Sequence, residues 1–204
     1  DLSRKNLGPT DVALVATWLQ RPKVSAALTS INCSGNDAIT GKRSRDNDGR
    51  TPWIYGEQLE DWTTLCTSLR GSSITLLNFS GCQLGPEALI LLADAIKFMA
   101  ALKSITLDKN LLSGSKVKWP WAPIGVVGVE QLDADLSGFK LLCEGLASSQ
   151  IEVISMKSCY LGPEALTLLA DAIKLMAAVA RLILDENPLT GGTSSTDFDK
   201  DITG

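Results

Sequence analysis

Two patterns of apolar residues alternate along the chain and predict two kinds of element. In short segments such as Leu102–Asn110, apolar residues fall at alternate positions, as Ile105 and Leu107 do. This spacing is typical of a strand with one buried face. In longer segments such as Leu84–Ala101, apolar residues recur every three or four positions, as on one side of a helix. A Gly-Pro-Glu sequence at the start of the longer segment favours a helix N-terminus there.

The helical segment is repeated almost without change. Leu84–Ala101 recurs 77 residues later as Leu161–Ala178, and 16 of the 18 positions are identical. A diverged copy begins 77 residues earlier, at Leu7. We therefore interpret the chain as a single domain, residues 1–204, built from a 77-residue unit. The units are residues 7–83, residues 84–160 and the partial unit 161–204.

Each unit also contains strand motifs that end alternately in Asn and Cys. The pattern LxxLxLxxN occurs as LTSINCSGN, LKSITLDKN and VARLILDEN, and a sister pattern ends in Cys. The terminal residues are, in chain order, Asn36, Cys82, Asn110, Cys159 and Asn187. We expect each of them to turn inward and to satisfy backbone groups of the turn.

This alternation resembles the leucine-rich repeats, and specifically their ribonuclease-inhibitor-like class. The resemblance covers nearly the whole chain, but long insertions follow the Asn-ending strands here. It implies an α/β leucine-rich-repeat solenoid with a curved parallel sheet inside and helices outside. The chain starts within a predicted strand and stops before a predicted helix. We therefore interpret it as a segment of a longer array, or alternatively as a unit whose open ends join head to tail.

The composition of the chain argues against several classes of function. The net charge of −4 and the pI near 4.9 argue against a nucleic-acid partner. No apolar run is long enough to span a membrane. The chain has no histidine, and its 5 cysteines show no CxxC spacing, so His-based catalysis and zinc sites have no support. We therefore expect no enzyme activity and no cofactor.

The cysteines fall at predicted core positions, and we expect buried free thiols. Such thiols fit the cytoplasm, although the sequence does not decide between an intracellular and an extracellular location.

One segment has a spacing like that of a calcium-binding loop. Asp133, Asp135 and Ser137 match the first three oxygen ligands of an EF-hand loop. However, Phe139–Leu146 should already be helical, which such a loop does not allow. We therefore predict no metal and interpret the carboxylates as helix-start residues, with a looser calcium site as the weaker alternative.

The outward strand positions form the predicted concave face. Most of its side chains are small and none is aromatic, so the face alone is a weak protein-binding surface. Its candidate contact residues are Asn78, Thr106, Asp108, Ser155, Lys157, Arg181 and Asp185. Two weak glycosylation sequons also lie there, at Asn32 and Asn78.

The aromatic side chains are concentrated in the two long insertions instead. Trp53 and Tyr55 lie in the first insertion, and Trp119 and Trp121 lie in the second. These residues either pack on the edge of the solenoid or form a ridge that binds a ligand or another copy. Trp62 is different, because it lies 77 residues before the predicted core residue Phe139.

Two functions follow from these patterns. The first is a non-enzymatic interaction scaffold that binds a protein or glycan partner, mainly through the loop edge. The second is a structural protein whose copies assemble head to tail into a fibre or extended array. We take the first as the main hypothesis and the second as the alternative; the near-identity of the units supports the alternative, because a polymer only needs each unit to fit the next.

Overall fold

The computed structural model describes residues 1–43, 54–117 and 129–191. Helices and strands alternate through these three stretches. The helices are α1 (Pro9–Leu19), α2 (Pro22–Ala27), α3 (Leu59–Leu69), α4 (Pro86–Ile96), α5 (Ser137–Ala147) and α6 (Pro163–Ile173). The strands are β1 (Ser30–Asn32), β2 (Lys42–Arg43), β3 (Ile54–Tyr55), β4 (Leu76–Asn78), β5 (Ser104–Thr106), β6 (Lys116–Val117), β7 (Val129–Gln131), β8 (Val153–Ser155) and β9 (Arg181–Ile183).

Five of these strands form one parallel sheet. Its order is β1-β4-β5-β8-β9, so these five strands follow one another across the sheet in the same order as along the chain. The central residue of each strand points into the core. These residues are Ile31, Leu77, Ile105 and Ile154, each at most 6% exposed, and Leu182, which is half-buried. The predicted alternation of apolar residues is therefore confirmed in the strands.

The helices cover the buried side of the sheet. Their apolar faces join the inward strand residues in one core. Trp62 on α3 is fully buried, as predicted: its ring packs edge-on against Phe79 at a centroid distance of 5.1 Å. Its indole N–H donates to the Ala88 carbonyl at 3.0 Å, so the one polar atom of this core side chain is satisfied.

The long insertions begin and end as small antiparallel ribbons. The first ribbon pairs β2 with β3, and the second pairs β6 with β7. Sequence analysis predicted only long loops here, because two-residue strands carry too little periodicity to detect. Helix α2 was also missed: it has six residues and none of them is buried.

The predicted mixed α/β architecture, with one parallel sheet and helices on its buried side, is confirmed at this level. None of the described helices is both long enough and apolar enough to cross a membrane.

Candidate functional site

The side of the sheet that the described helices leave uncovered carries the candidate contact residues. We call it the open face, and it comprises the outward strand residues and the residues just after each strand. Two rows of paired residues cross it. The first row is Ser30, Leu76, Ser104, Val153 and Arg181, and the second is Asn32, Asn78, Thr106, Ser155 and Ile183. The structure thus brings together the outward positions that the sequence predicted would share a face.

The exposure of these residues varies across the sheet. Leu76 is 50% exposed, and Arg181 is exposed at the β9 edge. Thr106 is half-buried, whereas Ser155 is only 6% exposed. The open face therefore offers an apolar spot near one edge and a cation at the other.

Asp108 organises the polar centre of the open face. Its Oδ1 accepts a hydrogen bond from Ser155 Oγ at 2.6 Å and another from the Lys157 N–H at 2.9 Å. Asp108 follows β5, whereas Ser155 and Lys157 belong to the neighbouring β8 segment. The carboxylate is therefore held across two strands.

Lys157 and Glu186 form the second charged group. Lys157 Nζ lies 2.8 Å from Glu186 Oε1, and Ser158 Oγ donates to Glu186 Oε2 at 2.6 Å. The hydrogen bond and charge of Glu186 raise the pKa of Lys157. Hydrogen bonds from Lys157 and Ser158 lower the pKa of Glu186. Both groups are therefore charged at neutral pH.

Sequence reasoning missed Glu186. It sits in a turn with a positive φ of 60°, next to the predicted site residue Asp185, which is exposed. Glu186 occupies an unspecified position of the motif VARLILDEN, just before its terminal Asn, so the motif gave no signal for it. The positive φ at Lys109, Ser158 and Glu186 shows that these three positions share one turn geometry.

The two sequon asparagines form local turns. Asn32 Oδ1 accepts from the Ser34 N–H at 3.0 Å, and Asn78 Oδ1 accepts from both the N–H and Oγ of Ser80. Both asparagines are half-buried. Glycosylation at either position stays a prediction.

The aromatic residues of the insertions fall mostly outside the described residues. Trp53, Trp119 and Trp121 lie there, so the proposed loop ridge is not tested. Tyr55 lies in β3, where its backbone pairs with Lys42, but its side chain is also outside the described part.

The calcium candidates serve helix starts in the structure. Asp135 Oδ1 accepts from the Ser137 N–H at 2.9 Å, at the beginning of α5. Asp133 does not cap α5; its two oxygens accept from N–H groups at the beginning of α6. Within residues 1–43, 54–117 and 129–191, no group of three or more His, Cys, Asp or Glu side chains could hold a metal ion.

The five cysteines are free and buried, and burial keeps their thiols protonated. It raises the pKa of Cys33 to about 11 and that of Cys82, Cys143 and Cys159 to about 12, and it also raises the pKa of Cys66. None of these thiols is an activated nucleophile at neutral pH.

The arrangement on the open face is suited to binding through ion pairs and hydrogen bonds.

Two solved structures are similar to this chain in fold. The C-terminal domain of tropomodulin from Caenorhabditis elegans matches with a TM-score of 0.58 and 11% identity, over 94% of this chain and 90% of that one. The actin-binding site 2 of leiomodin-1 matches with a TM-score of 0.54 and 12% identity, over 92% of this chain and 90% of that one. At these identities the likeness concerns the fold alone.

These matches correct the class suggested by the sequence. The assignment to the ribonuclease-inhibitor-like leucine-rich repeats is wrong, since the matching structures are tropomodulin and leiomodin domains. No family model matches the chain, and no curated protein matches it by sequence. The Asn- and Cys-ending motifs specify a strand and its turn, and this local geometry does not determine the family.

Proposed function

We propose that this chain is a non-enzymatic, curved solenoid of strand–helix repeats that binds a protein partner through the open face. The observation that carries this proposal is the fixed array of Asp108, Ser155, Lys157 and Glu186, which hydrogen bonds hold in place across three neighbouring strand segments. Side chains that are already ordered lose little conformational entropy when a partner binds. Charged groups arranged in this way select partners of complementary charge.

Actin is the partner that we propose to test first. The leiomodin-1 structure with the same fold is an actin-binding site, and the likeness spans nearly all of both chains. This choice rests on fold likeness, whereas the choice of the open face rests on the geometry of this chain.

The test is a titration of this protein with monomeric actin and a co-sedimentation assay with filamentous actin. Two open-face variants, Leu76→Ser and Arg181→Glu, change the apolar spot and the edge cation. Their matched controls are Leu175→Ser and Lys174→Glu, because both control side chains are exposed at the end of α6, away from the open face. We expect each open-face variant to weaken binding at least about tenfold, or 1.4 kcal/mol, and each control to bind as the parent does.

Two results would contradict the proposal at different levels. If the parent binds neither form of actin, actin is the wrong partner. If parent and all four variants bind equally well, the open face is not the interface, and the insertions that contain Trp53 and Trp119 become the surface to test.

Head-to-tail assembly is the second candidate function. Helix α1 exposes two large apolar side chains, Leu14 at 66% and Trp18 at 44%. The residues 77 positions later are Leu91, which is half-buried, and Ala95, which is fully buried. These α4 residues pack inside the domain. The exposure of the matching α1 side chains therefore favours a contact between α1 and a repeat of another copy.

A further inference from the structure

The five connections that lead from a helix end to the next strand of the large sheet are strongly basic. They are residues 20–29, 70–75, 97–103, 148–152 and 174–180. Together they contain six Lys or Arg side chains and one Glu side chain, although the whole chain has a net charge of −4. The six cations are Arg21, Lys23, Arg70, Lys97, Lys103 and Lys174.

Hydrogen bonds between successive connections show that they lie along one edge of the molecule. We call this region the helix-end edge, and it comprises the five connections. The donors and acceptors are the Ser73 N–H and Ser25 carbonyl at 3.2 Å, the Gly71 N–H and Phe98 carbonyl at 3.0 Å, Lys103 Nζ and the Gln150 carbonyl at 3.4 Å, and the Ala180 N–H and Glu152 carbonyl at 2.9 Å.

Two large apolar side chains project from the helix-end edge. Phe98 is 55% exposed and Leu175 is 71% exposed. They occupy matching positions, 77 residues apart, and each directly follows an exposed lysine, Lys97 or Lys174. The helix dipole favours a cation at a helix C-terminus, which accounts for the lysines. It does not account for an exposed apolar side chain beside each of them.

The cations of the edge are only partly neutralised by neighbouring carboxylates. Arg70 forms an ion pair with Asp94, and its guanidinium carbon also lies 5.2 Å from the centroid of the Phe98 ring. Within the described part of the chain, Arg21 and Lys97 form no ion pair. The edge therefore keeps positive charge beside its exposed apolar side chains.

The separation of the two apolar side chains favours a flat partner. Helix α5 packs between α4 and α6, and neighbouring helix axes are about 8–10 Å apart, so Phe98 and Leu175 project about 16–20 Å from each other. One small pocket in a partner cannot receive both, whereas a planar surface contacts both at once. The groove of about 250 Å³ lined by Gly85 and Gly114 lies at the opposite edge, where α4 begins.

We propose that the helix-end edge binds an anionic lipid surface. Phe98 and Leu175 enter the boundary between head groups and acyl chains, and the cations around them contact the anionic head groups. Clusters of about four to eight Lys and Arg residues are typical of protein surfaces that bind anionic lipids. This surface is separate from the open face and does not rest on the proposed function.

The test is co-sedimentation of the protein with lipid vesicles. One set of vesicles consists of phosphatidylcholine alone, and the other contains about one third phosphatidylserine. We expect binding to the anionic vesicles only. We also expect this binding to be lost as sodium chloride is raised to about 1 M, because the screening length then falls to about 3 Å.

Two kinds of variant separate the apolar contribution from the charged one. Phe98→Ser and Leu175→Ser in one chain should weaken vesicle binding at least about tenfold, and Lys97→Glu should weaken it at least about fivefold. The matched controls are Ile90→Ser and Lys140→Glu, exposed on α4 and α5 away from the edge, and they should bind as the parent does. Thermal unfolding checks each variant, and each single substitution is also measured, so one misfolded variant does not spoil the test.

Two results with vesicles would overturn the proposal. One is a parent protein that does not bind the anionic vesicles, and the other is a Phe98→Ser and Leu175→Ser variant that binds them as tightly as the parent. Poly-glutamate tests an acidic protein segment as the occupant instead. Binding of poly-glutamate that is as tight as vesicle binding and depends on Lys97 but not on Phe98 would show recognition by charge alone, which also overturns the lipid proposal.

Discussion

Three buried asparagines have the same role in successive repeats. Asn36, Asn110 and Asn187 are each at most 3% exposed. In each of them Oδ1 accepts two backbone N–H groups and Nδ2 donates to backbone carbonyls of two neighbouring segments. An amide is needed here, because it offers a donor and an acceptor at opposite ends of one side chain.

Asn110→Asp tests this role with almost no change of shape. The substitution replaces the donor group with an oxygen that would face the carbonyls of Phe79 and Leu107, which now accept at 2.9 Å and 2.7 Å. We expect a loss of at least about 3 kcal/mol in the free energy of unfolding, because a buried charge and unpaired carbonyls result. Denaturant unfolding measures it.

Asn32→Asp is the matched control for that change. Asn32 is half-buried, and its one side-chain hydrogen bond among the described residues is accepted by Oδ1 from Ser34. An aspartate keeps this acceptor, so we expect little change in stability. Equal losses in the two variants would contradict the role of the Nδ2 donor.

Cysteines take the asparagine position in the alternate repeats. The thiols of Cys82 and Cys159 each donate to a backbone carbonyl at 3.2 Å, that of Cys33 and that of Leu107 respectively. A thiol supplies one weak donor where the amide supplies a donor and an acceptor. The Cys-type turn is thus held by fewer side-chain hydrogen bonds than the Asn-type turn.

The thiols give a prediction about pH. Burial raises the pKa of Cys82 and Cys159 from 9.0 to about 12, so the folded protein holds these protons more tightly than the unfolded chain does. The stability from the protonated thiols is therefore complete below pH 9 and is lost as the pH rises towards about 12. We expect no reaction with Ellman's reagent at about pH 8 in the native protein and five reactive thiols in denaturant. Rapid native labelling would show that the cysteine sites are open.

At the residue scale, the sequence predicted inward side chains better than it predicted their partners. The inward Asn and Cys positions and the buried Trp62 follow from periodicity alone. The roles of Asp133 and Glu186 do not, because each acts through residues about 30 positions away. Such contacts depend on how repeats stack, which spacing within one repeat does not report.

At the element scale, two glycines of α5 decide how closely it packs on α4. A Cβ on Gly138 would lie 2.0 Å from the Pro86 carbonyl oxygen, and one on Gly145 would lie 2.8 Å from that of Ala93. Gly138 and Gly145 are seven residues apart, so they lie on the same face of the helix. The two backbones therefore approach where side chains are absent.

Gly138→Ala should force α4 and α5 apart. We expect the free energy of unfolding to fall by about 1–3 kcal/mol, as for other overpacked sites, despite the higher helix propensity of alanine. Thermal or denaturant unfolding gives the value. Gly8→Ala is the control, because the nearest heavy atom to a Cβ there is 4.0 Å away. A stabilised Gly138→Ala variant would show that the helices can separate without cost.

Long elements with strong periodicity were predictable, and short ones were not. Helices α4 and α6 follow directly from the repeated apolar pattern, and α5 covers the predicted helical stretch Phe139–Leu146. Helix α2 and the two ribbons are only two to six residues long. Their formation depends on the elements beside them, so a local pattern does not specify them.

At the scale of the whole molecule, the sequence repeats predicted the architecture but not the class of proteins that the chain resembles. Segments with the same pattern fold to the same strand and helix, and parallel strands then stack in chain order. Many unrelated sequences can satisfy these conditions, since an inward apolar residue and a turn residue are all that each strand needs. This explains why the sheet was predicted correctly although the assignment to a repeat class was wrong.

The state of assembly separates the two candidate functions at this scale. A protein-binding module leaves the open face and α1 accessible, so we expect a monomer of 21.7 kDa whose mass is independent of concentration in light scattering. Assembly would instead raise the mass with concentration and give filaments in negative-stain microscopy, as a heterologous contact that does not close propagates. In that case Trp18→Ser on α1 should return the monomer, because it removes the larger exposed apolar side chain of that helix. Leu175→Ser, at the end of α6, tests the opposite end of the domain. A monomer in every variant and at every concentration would contradict fibre assembly and favour the protein-binding module.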